Sequence, residues 1–219
     1  LFRSGLWSNS LFGEDLLICQ RGGGIYYWSA SAPNDRAINI TDLPYASDVP
    51  TVATEVLVSD VDRHVIALGC NQIGDADQDF LNVRWSDTES AANWTPSATN
   101  TAGGFRLSNG TRIVTGLRTR QEVLVWTDSA IYSMQYIGAP YVFNLNLLSG
   151  YTNISGPKAK IVVNDVVYWM GRDQFYIYNG RVNILPCAIR DYIFGRLNTN
   201  QRSEEHTSEL QSRLHLVCR

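Results

Sequence analysis

The chain has 219 residues, 18 basic against 21 acidic side chains, a formal net charge of −3 and 44% hydrophobic content. That length can bury a substantial core, and 11% aromatic residues, with 6 Trp and 11 Tyr, exclude a disordered chain. The weak net charge excludes a dedicated polyanion binder, and no apolar run approaches the ~20 residues needed to span a bilayer as a helix. The 17 glycines follow no period, which excludes a collagen-like fibre.

The elements follow in chain order. The chain opens on Leu1 rather than Met, which points to a start further upstream, and Glu14 and Asp15 stand where a secretory signal would need apolar residues. Residues 15–19 lead through Gln20-Arg21-Gly22-Gly23-Gly24 into 25–28, which predicts a hairpin. Residues 55–59 and 64–69 pair around Asp60-Val61-Asp62-Arg63, and 80–85 extend them. Stretches 111–117, 122–126 and 130–136 give a third set, and 160–163, 166–170 and 174–178 a fourth. These runs are short, rich in Val, Ile, Tyr and Trp, and broken by turn residues, which is the strand signature. The Ser/Thr/Asn/Pro/Ala-rich stretch 86–104 predicts a long loop, and only 188–195 predicts a short helix.

The units repeat. Glu122-VLVWTDSAIYSMQ aligns with Asp165-VVYWMGRDQFYIYN, Val123 on Val166 and Trp126 on Trp169. With Leu16, Val65, Val123 and Val166 taken as equivalent, the spacings are 49, 58 and 43 residues, the longest containing the 86–104 loop. A repeat of roughly 40–50 residues per four-stranded unit is the β-propeller period. The expected fold is therefore all-β: a β-propeller fragment of about four four-stranded blades. A β-sandwich competes, but it does not require similar units.

Residues 202–212, RSEEHTSELQS, read as the translation of a sequencing-library adapter, and 213–219 as further read-through. On that reading 1–201 is a partial propeller domain cut at both ends, and 202–219 is a non-native tail excluded from fold reasoning. Without the tail there are 15 basic and 18 acidic residues, a single histidine, His64, and three cysteines, Cys19, Cys70 and Cys187. Three widely spaced cysteines predict neither a disulfide framework nor a zinc site; they read as buried apolar residues.

The chemical signals are weak. Ser86-Asp87 through Asn93-Trp94 resembles the Asp-box turn of sialidase-like propellers, although Ser and Asp are adjacent and the Gly is missing; Asp87 reads as a turn-stabilising side chain and Trp94 as loop packing. Asp75, Asp77 and Asp79 alternate, yet no Gly and closing Glu make an EF-hand of them. Arg21-Gly-Gly-Gly lacks the Lys-Ser/Thr of a P-loop and precedes a strand. One histidine and no G-x-S-x-G give a His-based triad no support. The sequons at Asn39, Asn93, Asn109 and Asn153 read as chance products of an Asn/Ser/Thr-rich surface. No catalytic, metal or cofactor residues are expected. Trp85, Asp87, Trp94, Trp126, Asp128, Tyr132, Trp169 and Tyr176 are the turn and blade-packing candidates. Arg118, Arg120, Arg172 and Arg181, on expected turns, are candidate channel or subunit contacts.

Residues 83–87 (VRWSD), 93–96 (NWTP), 125–143 (VWTDSAIYSMQYIGAPYVF), 167–187 (VYWMGRDQFYIYNGRVNILPC) and 191–194 (DYIF) together resemble the propeller region of short-tailed bacteriophage tail proteins. These are the nozzle, or tail tubular B, proteins and the related packaged-DNA stabilisation proteins. The resemblance covers about residues 52–201 and rests on blade motifs, not on a catalytic signature. It implies a virion structural protein that is not an enzyme, assembled in the host cytoplasm into a homo-oligomeric ring of the tail. Its implied partners are the portal, the adaptor and other tail proteins, and DNA passes through the ring transiently without stable membrane insertion. A near-neutral wall suits that passage, because each neutralised phosphate adds affinity. The competing expectation is a sialidase-like or lectin-like propeller, enzyme or glycan-binding module, which an arginine cluster with a Tyr/Glu pair at the ring centre would mark.

Overall fold

Short apolar segments separated by Gly, Asn and Asp turns fold back on their neighbours, because a meander closes each backbone ladder at the smallest loop cost. The computed structural model describes residues 6–59 and 62–197, so the adapter-like segment 202–219 lies outside the described residues. Among the described residues, sixteen strands form four antiparallel sheets, each in simple sequential order. Blade 1 holds β1 (Trp7–Phe12), β2 (Asp15–Gln20), β3 (Ile25–Trp28) and β4 (Ile38–Asn39). Blade 2 holds β5 (Glu55–Val58), β6 (Val65–Leu68), β7 (Asn82–Trp85) and β8 (Gly103–Arg106). Blade 3 holds β9 (Ile113–Arg118), β10 (Val123–Thr127), β11 (Ile131–Gly138) and β12 (Val142–Ser149). Blade 4 holds β13 (Lys160–Val163), β14 (Val166–Met170), β15 (Phe175–Tyr178) and β16 (Val182–Leu185), followed by helix α1 (Arg190–Arg196).

The first strands of successive blades lie side by side and run the same way. Val56 N and Val58 N of β5 donate to Ser8 Oγ and Ser10 Oγ of β1, at 3.2 and 3.1 Å. Glu55, at the start of β5, meets the middle of β9, and Arg118, at its end, donates to Val58 O at 3.2 Å. Four meanders with their first strands gathered at one axis are blades of a β-propeller, the expected fold. The four positions used to set the repeat, Leu16, Val65, Val123 and Val166, all lie at the start of second strands.

Three apolar cores lie between blades. Leu17, Val56, Val65, Ala67 and Trp94 fill the first gap. Ile66, Leu68, Val83, Trp85, Val123 and Val125 fill the second. Leu124, Trp126, Ile131, Val167, Trp169 and Tyr176 fill the third. Alternate residues of β6 and β10 serve opposite gaps, so both strands are buried throughout. On the far side of blade 4, α1 packs Phe194 against Phe175 with ring centroids 5.1 Å apart.

Five strands went unread in the sequence: β1, β4, β8, β12 and β16. In β1 Ser8 and Ser10 face the neighbouring blade while Trp7, Asn9 and Leu11 are exposed, which inverts the expected alternation. In β8 a Cβ on Gly103 would lie 2.6 Å from Trp85 Cζ2, so glycine is what lets this strand approach the indole. The long loop therefore closes at residue 102, and the helix runs one to two residues later than expected.

Trp126 tests the third gap. It is fully buried and meets Trp169 edge-on at 5.6 Å, and its Nε1 has no hydrogen-bond partner among the described residues. Trp126→Ala is expected to lower unfolding free energy by about 3–5 kcal/mol in urea titration. Trp126→Phe, which keeps an aromatic ring and forfeits no hydrogen bond, costs less than half of that.

Candidate functional site at the axial mouth

One face of the propeller carries the turns between second and third strands together with the connections between blades. At its centre, where the first strands converge, lies a cavity of about 300 Å³. Its polar lining includes Asn9 from β1, Arg21 just after β2, Glu55 at the start of β5, Lys158, and Lys160 at the start of β13. Trp7 supplies an aromatic wall.

Three of these side chains reach consecutive residues of β9. Arg21 Nη1 donates to Val114 O at 3.0 Å, across 93 residues of chain. Lys160 Nζ donates to Thr115 Oγ1, and to Pro157 O at 2.6 Å. Gly116 N donates to Glu55 Oε2 at 3.1 Å. Gly116 leaves room there for Leu57 and Leu68, since a Cβ would stand 2.6 Å from both Cδ1 atoms and the two leucine tips would have to shift. Burial pushes the Lys160 ammonium below its usual pKa, Glu55 opposes that shift and Arg21 adds to it, so the three charges act on one another. Among the described residues the cavity lining therefore carries Arg21, Lys158 and Lys160 beside the carboxylate of Glu55.

Sequence reasoning did not find this site. The signal available was that Lys158 and Lys160 are the only lysines in the chain and stand two residues apart. The Arg21-Gly-Gly-Gly turn contributes its arginine side chain rather than a phosphate-cradling backbone loop.

The turn and packing candidates lie elsewhere. Trp85, Trp94, Trp126, Tyr132, Trp169 and Tyr176 are all buried in the three inter-blade cores. Trp85 Nε1 donates to Thr101 O and Trp94 Nε1 to Ala91 O, each at 2.9 Å. Tyr132 Oη accepts from Asn109 N at 2.8 Å, and Tyr176 stacks on Trp169 at 5.2 Å. Asp87 closes the 86–102 loop, accepting from Thr101 N at 2.9 Å and Thr101 Oγ1 at 2.7 Å. Asp128 accepts from Thr111 N at 2.8 Å and Thr111 Oγ1 at 2.6 Å. Burial opposes ionisation of both carboxyls, but these hydrogen bonds outweigh it and hold them below the ordinary aspartate value.

The four arginines are not brought together. Arg118, Arg120 and Arg181 sit on the opposite face, with the hairpins between first and second or third and fourth strands, while Arg172 is on the mouth face. Arg118 ties β9 to β5, and Arg120 pairs with Asp165 of blade 4 at 3.2 Å, so both act between blades. Arg172 and Arg181 are exposed. Asp79 pairs with Arg106 at 2.7 Å, and no group of three or more His, Cys, Asp or Glu among the described residues is placed to hold a metal. Cys19 and Cys70 are buried thiols, Cys187 is half-buried, and burial pushes the first two up to about 12.

No protein-family model matches the chain, and no curated protein sequence matches it. Among solved structures it is similar to BamB from Moraxella catarrhalis, at 17% identity and a TM-score of 0.48, over 83% of this chain and 49% of that one. It is also similar to Hsv2 from Kluyvelomyces marxianus, at 8% identity and a TM-score of 0.44, over 78% and 44% of the two chains. The chain thus spans about half the length of these structures.

His64 gives the molecule a pH dependence. It is fully buried, with Nε2 3.0 Å from Thr101 Oγ1 and 3.2 Å from Thr88 Oγ1, and its ring lies 5.1 Å from Phe143. Burial, opposed by Asp87, pushes its pKa down from 6.5 to about 4. The unfolded chain therefore binds the proton first, and stability falls as pH drops from 6.5 towards 4. The expected loss between pH 7 and pH 5 is about 2 kcal/mol. Urea titrations at the two pH values check this, and His64→Gln is expected to remove most of the difference.

Proposed function

We propose that this chain is a structural propeller of a virion: part of the tail nozzle ring of a short-tailed bacteriophage, which retains packaged DNA and conducts it at ejection. The observation that carries the reading is where the resembling motifs lie. Trp85, Trp94, Trp126, Trp169 and Tyr176, the aromatic marks of those segments, are all buried in the cores between blades. The motifs are thus architectural, as in a family whose shared feature is a scaffold. Asp87 and Asp128 belong to the same framework, each closing a loop with threonine hydroxyl and backbone hydrogen bonds.

The competing sialidase-like or lectin-like reading calls for an arginine cluster with a Tyr/Glu pair at the ring centre. Among the described residues, the lining of the axial cavity contains one arginine, Arg21, with Glu55, and no tyrosine. That composition favours the scaffold. On this reading the ring's partners are further copies of the chain, the adaptor and portal, and other tail proteins. Assembly takes place in the host cytoplasm, and DNA passes through the channel of the oligomer rather than through the axis of one propeller.

Mass spectrometry of purified phage particles carrying the gene is expected to recover its peptides in stoichiometric amounts with portal and adaptor. Immunogold label on the protein is expected at the tail vertex. Absence from washed particles, with the protein free in the lysate, would overturn the assignment.

A further inference from the structure

We propose that copies of this chain associate head to tail, the far face of blade 4 in one copy packing on the open face of blade 1 in the next. The inference rests on these two faces and not on the tail assignment.

Repetition of one interface is the first argument. In the second strands of blades 2, 3 and 4, the residues turned towards the preceding blade are Val65 and Ala67, Val123 and Val125, and Val167 and Trp169. None of the six is more than 4% exposed. Side chains alternate between faces along a strand. With Leu17 and Cys19 packed on blade 2, Leu16 and Ile18 therefore take the same place in blade 1. The register sets Leu11 and Trp28 beside Leu16, and Tyr26 beside Ile18. Leu11 is 65% exposed, and Trp7, on the same face, 53%. The face that three blades bury against a predecessor is thus present on blade 1, equally apolar, and uncovered among the described residues.

The other end of the blade stack has the matching face. Trp169 and Tyr176 face blade 3, so Ile161, Tyr168 and Ile177 lie on the far side, with Val163 and Val166 in the next row. Helix α1 covers only the mouth-side end of this face, where Phe194 meets Phe175. The five residues beyond it are half-buried.

Charge is the second argument. At strand positions, neither face carries an Asp, Glu, Lys or Arg. A repeat fold whose end meets water needs a polar outer face on its terminal unit. Two uncharged apolar ends fit instead another sheet, packed face to face with interdigitated side chains. A charged partner would find nothing to pair with. Leu11, Leu16 and Trp28 lie at the end opposite the mouth, and so do Val163 and Val166, beside the hairpins between first and second strands. Stacking blade 4 on blade 1 in the sense used three times within the chain therefore sets row on row. Such a contact joins two different faces, so it propagates into a ring or an open series of copies.

The test is sedimentation equilibrium of the 219-residue chain between about 1 and 100 μM. Average mass is expected to rise with concentration above that of one chain. Added NaCl is expected not to reduce it, because no ion pair crosses the contact. Leu11→Lys, at an exposed position, is expected to keep Tm and to weaken association about tenfold or more, the effect of a charge set in an apolar contact. Val163→Lys, on the far face of blade 4, is expected to do the same, with circular dichroism to check its fold. Each variant retains the face that the other lacks, so an equimolar mixture is expected to give a 1:1 dimer that does not extend. The inference is overturned if the parent chain stays monomeric throughout, if either variant associates as well as the parent, or if the mixture gives no dimer.

Discussion

Strand β9 is where the other three blades are fastened. Arg21 from blade 1, Glu55 from blade 2 and Lys160 from blade 4 reach Val114, Gly116 and Thr115 in turn. The constraint behind this convergence is general to radial folds. Inner strands of neighbouring blades are not joined by a backbone ladder, so their edge groups and their spacing must be managed by side chains. Ser8 and Ser10 do so between the first two blades, Glu55 and Arg118 between the second and third, and Lys160 between the third and fourth. Hydrogen bonds to charged groups contribute about 1.5–3 kcal/mol each, enough to fix the relative slide of sheets that apolar packing alone leaves free.

The division of labour follows from that. Apolar area lies between blades, in three cores joined through strands buried on both faces. Each blade contacts chiefly its neighbours, so stability is shared in a nearly one-dimensional way. Arg21 departs from this pattern, since it links blade 1 to blade 3 past the intervening sheet. A contact of that span couples the opening of non-adjacent blades, which raises cooperativity along the arc.

These two kinds of contact also explain what could be read in the sequence. The runs VIAL, VLVW and VVYWM were legible as strands because both faces of a central strand demand apolar residues, and their Trp and Val spacing exposed the repeat. Strand β1 was not legible, because its serines face the neighbouring blade as acceptors while Trp7 and Leu11 are exposed. Strand β8 read as loop because Gly103 is chosen for its closeness to Trp85, a tertiary reason that local propensity does not carry. The axial site was missed for a related cause. Arg21, Glu55 and Lys160 lie far apart in sequence, and only the radial arrangement of first strands gathers them.

The net charge of −3 describes the chain poorly at the scale that matters for binding. Asp87 and Asp128 are consumed in loop closure, where threonine hydroxyls and backbone amides hold them ionised. Asp79 and Asp165 are each paired with an arginine, Arg106 and Arg120. Negative charge is thereby spent locally, in loop closure and in ion pairs, while Arg21, Lys158 and Lys160 line the axial cavity with Glu55. A propeller can keep the charged groups at its axis apart from those at its outer surface, because the blades separate the two by several buried side chains. Field effects of the axial lysines at the outer surface are weakened by that distance and by solvent screening beyond about 8–10 Å. Local pairing, and not the total over the chain, sets the charge that each surface presents.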